Sequence, residues 1–241
     1  MKLNYLDLHH GIGTTISGQD VFNHRFPAYH DMNFTYLNDE IDDFDLFHLI
    51  NEEKESNRNH KKDFVSFILP AHASDHYDLF DTLNFNIEEC EIMSLSTKNF
   101  KASEMDGNYT ISLLTEEDFE AWMDLMFDGE EDSSIPFHKQ KRDLYTLTFK
   151  QKGHDIYIAK DHDKIIGTLV MHRHKEFYEL DDFFVLDEYQ KKGIGSALQA
   201  FAFQDIDEVV LVSDANSPAN EIYKRQGYKT ITSFHICKLE F

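Results

Sequence analysis

The residues whose types and spacing carry chemistry lie late in the chain, in Asp187-Glu188-Tyr189-Gln190-Lys191-Lys192-Gly193-Ile194-Gly195-Ser196-Ala197-Leu198. A helix beginning near Gly193 or Ile194 leaves its first backbone amides without intrahelical partners. Those amides and the helix dipole form a site for an anion. Glycine lets the anion approach the main chain with no Cβ in the way, and Lys191 and Lys192 add positive charge at the rim. The arrangement reads as a cradle for a phosphate or diphosphate. The same residues also suit a left-handed turn flanked by ordinary surface lysines. Two other phosphate loops are excluded. The string GxxxxGK[ST] is absent, and the dinucleotide fingerprint fails because Leu198 stands where its third glycine belongs. Gly11-Ile12-Gly13 follows no strand-like run and is not a second loop. His172 and His174 share a strand face at metal-capable spacing, but with no third ligand nearby no metal is expected.

The cradle requires a strand before it and a helix after it, and hydrophobic periodicity supplies both. EFYELDDFFVL (176–186) reads as the strand, and the helix runs from the glycines to about Gln204. VVLVSD (209–214) is the next strand, and a helix from Ser217-Pro218 to Gln226 precedes two last strand runs, YKTITS and FHICKLEF. Upstream, YTISLL (109–114), HDIYIAK (154–160) and IIGTLVMHRH (165–174) read as strands, the last two as a hairpin. One helix opens at Thr115 with acids in its first turn. A second follows the acidic loop GEEDSS (129–134), with Pro136 early in it. The N-terminal part reads as β-α-β-α-β: MNFTYL (32–37), a helix over 42–61, FVSFIL (64–69), a helix over 74–85 opened by Ser74, and IEECEIMSLS (87–96). Phe44, Phe47, His48 and Leu49 are expected to form the buried side of its first helix. The first 30 residues read as irregular, and the polar stretch 97–108 as a linker. A faint repeat aligns YDLFDTLNFNIEECEIMSLS with NEIYKRQGYKTITSFHICKL, setting Phe80 against Tyr223 and Phe85 against Tyr228.

The totals limit the function classes. The chain has 241 residues, 41% hydrophobic, room for one large domain or two. Its net charge of −22 disfavours nucleic acid as a partner and favours cations, or serves mainly solubility. No apolar run approaches a membrane span. The opening MKLNYLDLHH meets acid and histidine too soon for a secretory signal. Cys90 and Cys237, far apart, read as free thiols of a reducing cytoplasm.

VLDEYQKKGIGSAL resembles the acetyl-CoA-binding motif of the GNAT superfamily of N-acetyltransferases, [Gln/Arg]-x-x-Gly-x-[Gly/Ala] between a strand and a helix, with Gln190, Gly193 and Gly195 in its places. DANSPANEIYKRQGYKTI (214–231) is similar to the family's Asn-x-x-Ala-x-x-x-Tyr-x-x-x-Gly-[Phe/Tyr], filled by Asn216, Ala219, Tyr223, Gly227 and Tyr228. The resemblance covers about 109–241. It implies an α/β (α+β) fold: a mixed, mostly antiparallel twisted sheet flanked by helices, with a second βαβαβ domain. The expected division is 1–105, a degenerate GNAT-like or lid domain, and 106–241, the acetyltransferase domain. The first half lacks the glycine motif, its equivalent helix region reading KESNRNH.

The resemblance further implies acetyl-CoA as cosubstrate, held by Gln190, Lys191, Lys192, Gly193, Ile194, Gly195 and Ser196. Its pantetheine arm would bond the main chain at Phe183 and Val185. A neutral amine would attack the thioester directly, a backbone amide near Phe183 would stabilise the oxyanion, and Tyr223 would protonate the departing thiolate. Tyr223 is otherwise a core tyrosine. Asn216 would bond the cofactor or cap its helix. Strand alternation puts Glu179, Asp181 and Phe183 on one face, so Glu179 or Asp181 is the expected base, unless both are solvated acids. The charge at long range opposes a polyanion, but beyond a Debye length of roughly 8 Å it is screened. Local donors therefore decide, each charged contact at a helix end contributing about 0.3–1 kcal/mol. The acceptor is a small-molecule or peptide amine, and a homodimer is compatible with everything above. Two rivals stand beside the enzyme: a non-catalytic CoA-binding regulatory module, and an interaction protein whose acidic face takes a basic partner.

Overall fold

The computed structural model describes residues 2–37, 41–60, 62–127 and 135–241. The acidic stretch 129–134 and the side chains of Ser74 and Pro136, all read from the sequence, lie outside the described residues. The N-terminal elements are β1 (Thr15–Ser17), β2 (Asp20–Phe22), β3 (Phe34–Tyr36), α1 (Asp43–Asn59), β4 (Phe64–Pro70), α2 (Tyr77–Thr82) and β5 (Asn86–Ser96). There follow β6 (Thr110–Leu113), α3 (Phe119–Phe127), α4 (Ile135–Lys150), β7 (His154–Asp161), β8 (Lys164–Arg173) and β9 (Tyr178–Val185). The last are α5 (Ile194–Ala202), β10 (Glu208–Asp214), α6 (Pro218–Gln226) and β11 (Lys229–Glu240).

These elements form two compact units. One comprises Met1–Ile92, Ser213–Asn216 and Ile231–Phe241, the other Met93–Val212 and Ser217–Thr230. The division departs from the expected 105/106. The polar stretch 97–108 belongs to the second unit, where its main-chain amides are tied down: Thr97 to the Asp207 carbonyl, Lys101 to that of Gln226 and Asp106 to that of Lys192. Side-chain periodicity does not register a segment held by its backbone.

In the first unit β1, β2 and β3 pair antiparallel, β3 runs parallel to β4, and β4 pairs antiparallel with residues 234–240 of β11. Every residue of β4 is buried, as a strand covered on both faces requires. The first 30 residues are more ordered than expected. Buried Asn23 and Asn33 satisfy main-chain groups that such short strands leave open: Asn23 bonds the Ile12 carbonyl, and Asn33 bonds those of Phe26 and Tyr29. Helix α1 also corrects the reading. It buries Leu46 and Ile50, one turn apart, whereas Phe44 is 70% exposed and Phe47 42%. Phe44, Phe47 and His48 do share a face, as their three- and four-residue spacing requires, but it is the exposed face opposite Leu46 and Ile50. The region KESNRNH falls at the C-terminal end of α1, not at the end where a cradle would stand.

In the second unit β6, β7, β8 and β9 form an antiparallel meander, and β9 runs parallel to β10. Alternate residues of β8 enter different cores. Val170 packs with Trp122, Met123 and Ile158, while Leu169 and Met171 pack with Leu198 and Leu211. The Trp122 indole N–H donates to the Thr168 hydroxyl at 2.9 Å. Helix α5 buries Ile194, Leu198 and Ala202, a four-residue repeat that seats it on the sheet.

Candidate active site

The site begins where β9 and β10 part. Their parallel pairing is confined to Val209 with Tyr178 and Val210 with Glu179. Beyond it a cavity of about 620 Å³ opens, lined by Phe183, Val185, Gln190, Lys191 and Gly193 through Ser196, with Ala219, Ile222 and Tyr223 of α6 opposite. Gly193 caps α5 in the left-handed conformation, φ 75°, and no side chain bonds the helix start. The amides of Ile194, Gly195 and Ser196 therefore begin the helix without intrahelical acceptors. They lie on the wall of the cavity, and the positive end of the dipole lies with them.

Local chemistry explains each residue of the turn. Gln190 Nε2 donates to the Val185 carbonyl at 3.1 Å and to Asp187 Oδ1 at 2.8 Å, tying the strand end to the turn. Gly193 is required twice over, because its φ is positive and because a Cβ would come within 2.0 Å of the Glu104 carbonyl oxygen. Gly195 lets α5 approach β9; a Cβ there would meet the Phe183 ring at 3.1 Å. Ser103 and Glu104, inside the stretch 97–108 that the sequence presents as a linker, are walls of the cavity. Lys192 is not among the lining residues described; its Nζ sits over the Tyr189 ring, 4.8 Å from the centroid.

Tyr223 lines the cavity, its ring centroid 6.4 Å from that of Phe183. Burial, and then the charge of Asp181, pushes its phenol up to about 12, so it holds its proton at neutral pH. Asn216 does not cap α6. Ser217 does, its hydroxyl accepting from the Asn220 amide at 3.2 Å, while the Asn216 amide donates to Asp214 Oδ1 at 2.8 Å.

The carboxylates of β9 depart from simple alternation. The register with β8 passes from Thr168–Phe184 to Val170–Asp181, which leaves one extra residue in β9. The bulge centres on Asp182, at φ 44°. It moves Phe183 to the side of Leu180, where both pack in the α5 core, and away from Glu179 and Asp181. A bulge inverts the facing of every residue after it. Glu179 is buried, with His174 Nε2 2.8 Å from its Oε2. Asp181 Oδ2 lies 3.4 Å from His172 Nε2. Neither is among the described residues lining a cavity.

Asp182 is. It stands in a second cavity of about 540 Å³ with Met126, Lys141, Tyr145 and Glu188, and this cavity shares Phe184, Val185 and Gln190 with the first. The Tyr145 hydroxyl donates to Asp182 Oδ1 at 3.2 Å. Burial, reinforced by the Asp181 charge and opposed by His172, Tyr145 and Lys141, pushes the Asp182 carboxyl up to about 7. A carboxyl that exchanges its proton near neutrality suits general base work. Sequence reading passed over Asp182, Tyr145 and Lys141. The one available sign was the acidic doublet Asp181-Asp182, since aspartate tolerates left-handed backbone better than most residues. The first unit has a smaller cavity of about 210 Å³, lined by Asp20, Glu53 and Lys62 among others, and none of the residues selected from the sequence lines it.

The comparisons bear on the fold. Residues 152–230 match the model of the acetyltransferase (GNAT) domain. No curated protein matches the chain. Among solved structures, a functionally unknown conserved protein from Staphylococcus epidermidis ATCC 12228 is similar over 99% of this chain and 98% of its own, with a TM-score of 0.86 and 20% identity. A GCN5-related N-acetyltransferase from Sphaerobacter thermophilus matches over 82% of this chain and 69% of its own, with a TM-score of 0.62 and 14% identity. A tandem GNAT protein from the clavulanic acid biosynthesis pathway matches over 80% and 69%, with a TM-score of 0.58 and 11% identity. At these identities the likeness is one of fold. The fold is GNAT-like, and the N-terminal half is consistent with a tandem arrangement.

Proposed function

From the premise that this chain carries a GNAT acetyltransferase domain over residues 152–230, we propose that it transfers an acetyl group from acetyl-CoA to an amine by direct attack. The observation that carries the reading is the 620 Å³ cavity, which runs from the uncapped start of α5 to the Tyr223 hydroxyl-bearing ring on α6. Its donor set fits a phosphorylated cosubstrate with a long arm: amides and Lys191 at one part, and apolar Phe183, Val185, Ala219 and Ile222 at another. The amides of residues 194–196 would hold the diphosphate, and the strand edge at Phe183 and Val185 would hold the arm.

The acceptor enters by the adjoining 540 Å³ cavity. Asp182 takes a proton from its ammonium form, directly or through water, and leaves a neutral nucleophile. The nitrogen attacks the thioester carbonyl, the C–S bond breaks, Tyr223 gives its phenolic proton to the thiolate, and the proton shed by the acylated nitrogen returns through water to the Tyr223 phenolate. Glu179 and Asp181, held by His174 and His172, support the strand and do not take the proton. No helix of the described residues is long and apolar enough to cross a membrane, and a cytoplasmic location agrees with the two buried free thiols, Cys90 and Cys237.

Calorimetric titration with acetyl-CoA tests the binding half of the reading, and absence of heat overturns it. The conservative site variant is Lys191→Glu, with an expected loss of about fivefold in affinity. Gly193→Asp is the wrong variant, because its Cβ would collide with the Glu104 main chain whether or not a ligand binds. Release of CoA thiol over a panel of amines tests turnover.

A further inference from the structure

The carboxylate beside the bulge is gripped on both of its oxygens. Asp181 Oδ1 accepts the Asp182 backbone N–H at 2.8 Å, and its Oδ2 faces His172 Nε2 at 3.4 Å. His172 is buried within β8, and its Nδ1 lies 2.7 Å from His154 Nδ1 on β7. The protonation states follow from the surroundings. Burial opposes charge on His172, but the Asp181 hydrogen bond and the carboxylates of Asp181, Glu179 and Asp182 outweigh it and raise its pKa. Burial, then His172 and His174, pushes His154 down to about 4. In its protonated form, which these carboxylates favour, His172 has an N–H on each ring nitrogen, one facing Asp181 Oδ2 and the other His154 Nδ1.

We propose that Asp181 and His172 are a positioning pair for Asp182: the Asp181 carboxylate, anchored by His172, ties down the bulge amide and so aims the Asp182 carboxyl at Tyr145 and the acceptor cavity. The inference rests on the reading of Asp182 as the base. The bulge needs such a tie. A non-glycine residue at φ 44° is held in a conformation it adopts uncommonly, and a bulge interrupts the ladder that would otherwise hold its amide. Asp181 supplies the missing acceptor from the adjacent position. Its side chain is 56% exposed, whereas that of His172 is 6% exposed. The rigid member of the pair is therefore the histidine, fixed in turn by His154. The pair also places opposite charges next to the base. Asp181 favours the protonated form of Asp182 and His172 the ionised form, with Lys141 and Tyr145 of α4 assisting the latter.

The test uses the full chain and needs no acceptor. Carbon-13 NMR follows the Asp182 carboxyl through a pH titration, its resonance identified by its disappearance in Asp182→Asn, and amide exchange follows the Asp182 N–H. The wild-type midpoint is expected at about 7. Asp181→Asn keeps an accepting oxygen and loses the charge, so the midpoint falls by about one pH unit. His172→Ala raises it. Asp181→Ala removes the acceptor and speeds exchange of the Asp182 amide about tenfold. His172→Ala speeds it as well, and His172→Gln, which restores a donor, brings it back towards wild type. The exposed Asp181 side chain makes its variants compatible with folding, so they test the pair even if His172→Ala does not fold. A wild-type midpoint in the ordinary carboxyl range takes down the base itself. A midpoint near 7 that stays put in Asp181→Asn, with exchange unchanged in Asp181→Ala, overturns the positioning pair and leaves the base standing.

Discussion

Helices α1 and α5 occupy the same place in two strand–helix–parallel strand units, β3-α1-β4 and β9-α5-β10. Each therefore presents an N-terminus with unpaired amides. Only one leaves them open to a cavity. At α1 the cap is Asp42, whose carboxylate accepts from the Asp45 amide at 2.9 Å, and Asp43 and Asp45 fill the first turn. The end is satisfied by its own side chain and carries negative charge, so it repels a phosphate. At α5 the cap is a left-handed glycine with no side-chain bond and no acid in the first turn. Topology creates the opportunity for an anion site, and three or four residues at the cap decide whether it is used. The same contrast extends along each half. The repeat sets Phe80, fully buried and without a hydroxyl, against Tyr223. Strand β3 is short and buried at every residue, whereas β9 bulges and turns a carboxyl toward a cavity.

Making the second half resemble the first should therefore remove the proposed activity in steps. Tyr223→Phe copies the Phe80 side chain and should lower turnover by about 10²–10⁴-fold, with acetyl-CoA affinity unchanged, measured as CoA thiol release beside calorimetry. Full activity in this variant would make the phenol a packing residue like its counterpart. Ser196→Asp places at the third position of α5 the acid that Asp45 supplies to α1, and acetyl-CoA affinity should fall by about 30-fold with the fold intact by circular dichroism. A smaller effect attaches to pH. Asp182 must be ionised to accept a proton, and its carboxyl is raised to about 7. The pH profile of kcat/KM should therefore be level above that value and fall about tenfold per unit below it. A profile level down to pH 5 would remove Asp182 from the mechanism. The smallest effect lies in the first half. Asp42→Ala uncaps α1 and should cost about 1 kcal/mol in chemical denaturation, without creating acetyl-CoA binding, because Asp43 and Asp45 remain.

The elements with a clear period were legible before any coordinates. Strands β7 to β10 and helices α5 and α6 fall close to where alternation and four-residue spacing put them. The glycine turn was legible too, and most of the residues selected for it line one cavity; Lys192 and Asn216 do not. What escaped were features with no side-chain period. Ser103 and Glu104 became a cavity wall within a segment held by main-chain contacts. KESNRNH, the expected equivalent of the glycine turn in the first half, lies one helix length too late, because the strand and helix are where the sequence puts them and the connection between them precedes Asp43. One inserted residue in β9 put Asp182, and neither Glu179 nor Asp181, on the wall of the second cavity.

The linear order of residues was enough to determine that an uncapped helix follows a strand and that a tyrosine follows one helix later. Both depend on local rules: glycine's freedom at positive φ, and the spacing of residues along a helix. Only the folded chain decided which carboxylate gains a proton affinity near neutrality. That property belongs to Asp182 because the bulge turns it against Tyr145 and buries it beside Asp181 and Lys141, groups that a distant helix and a neighbouring position bring together. Desolvation and charge act through space, and separation along the chain does not encode them.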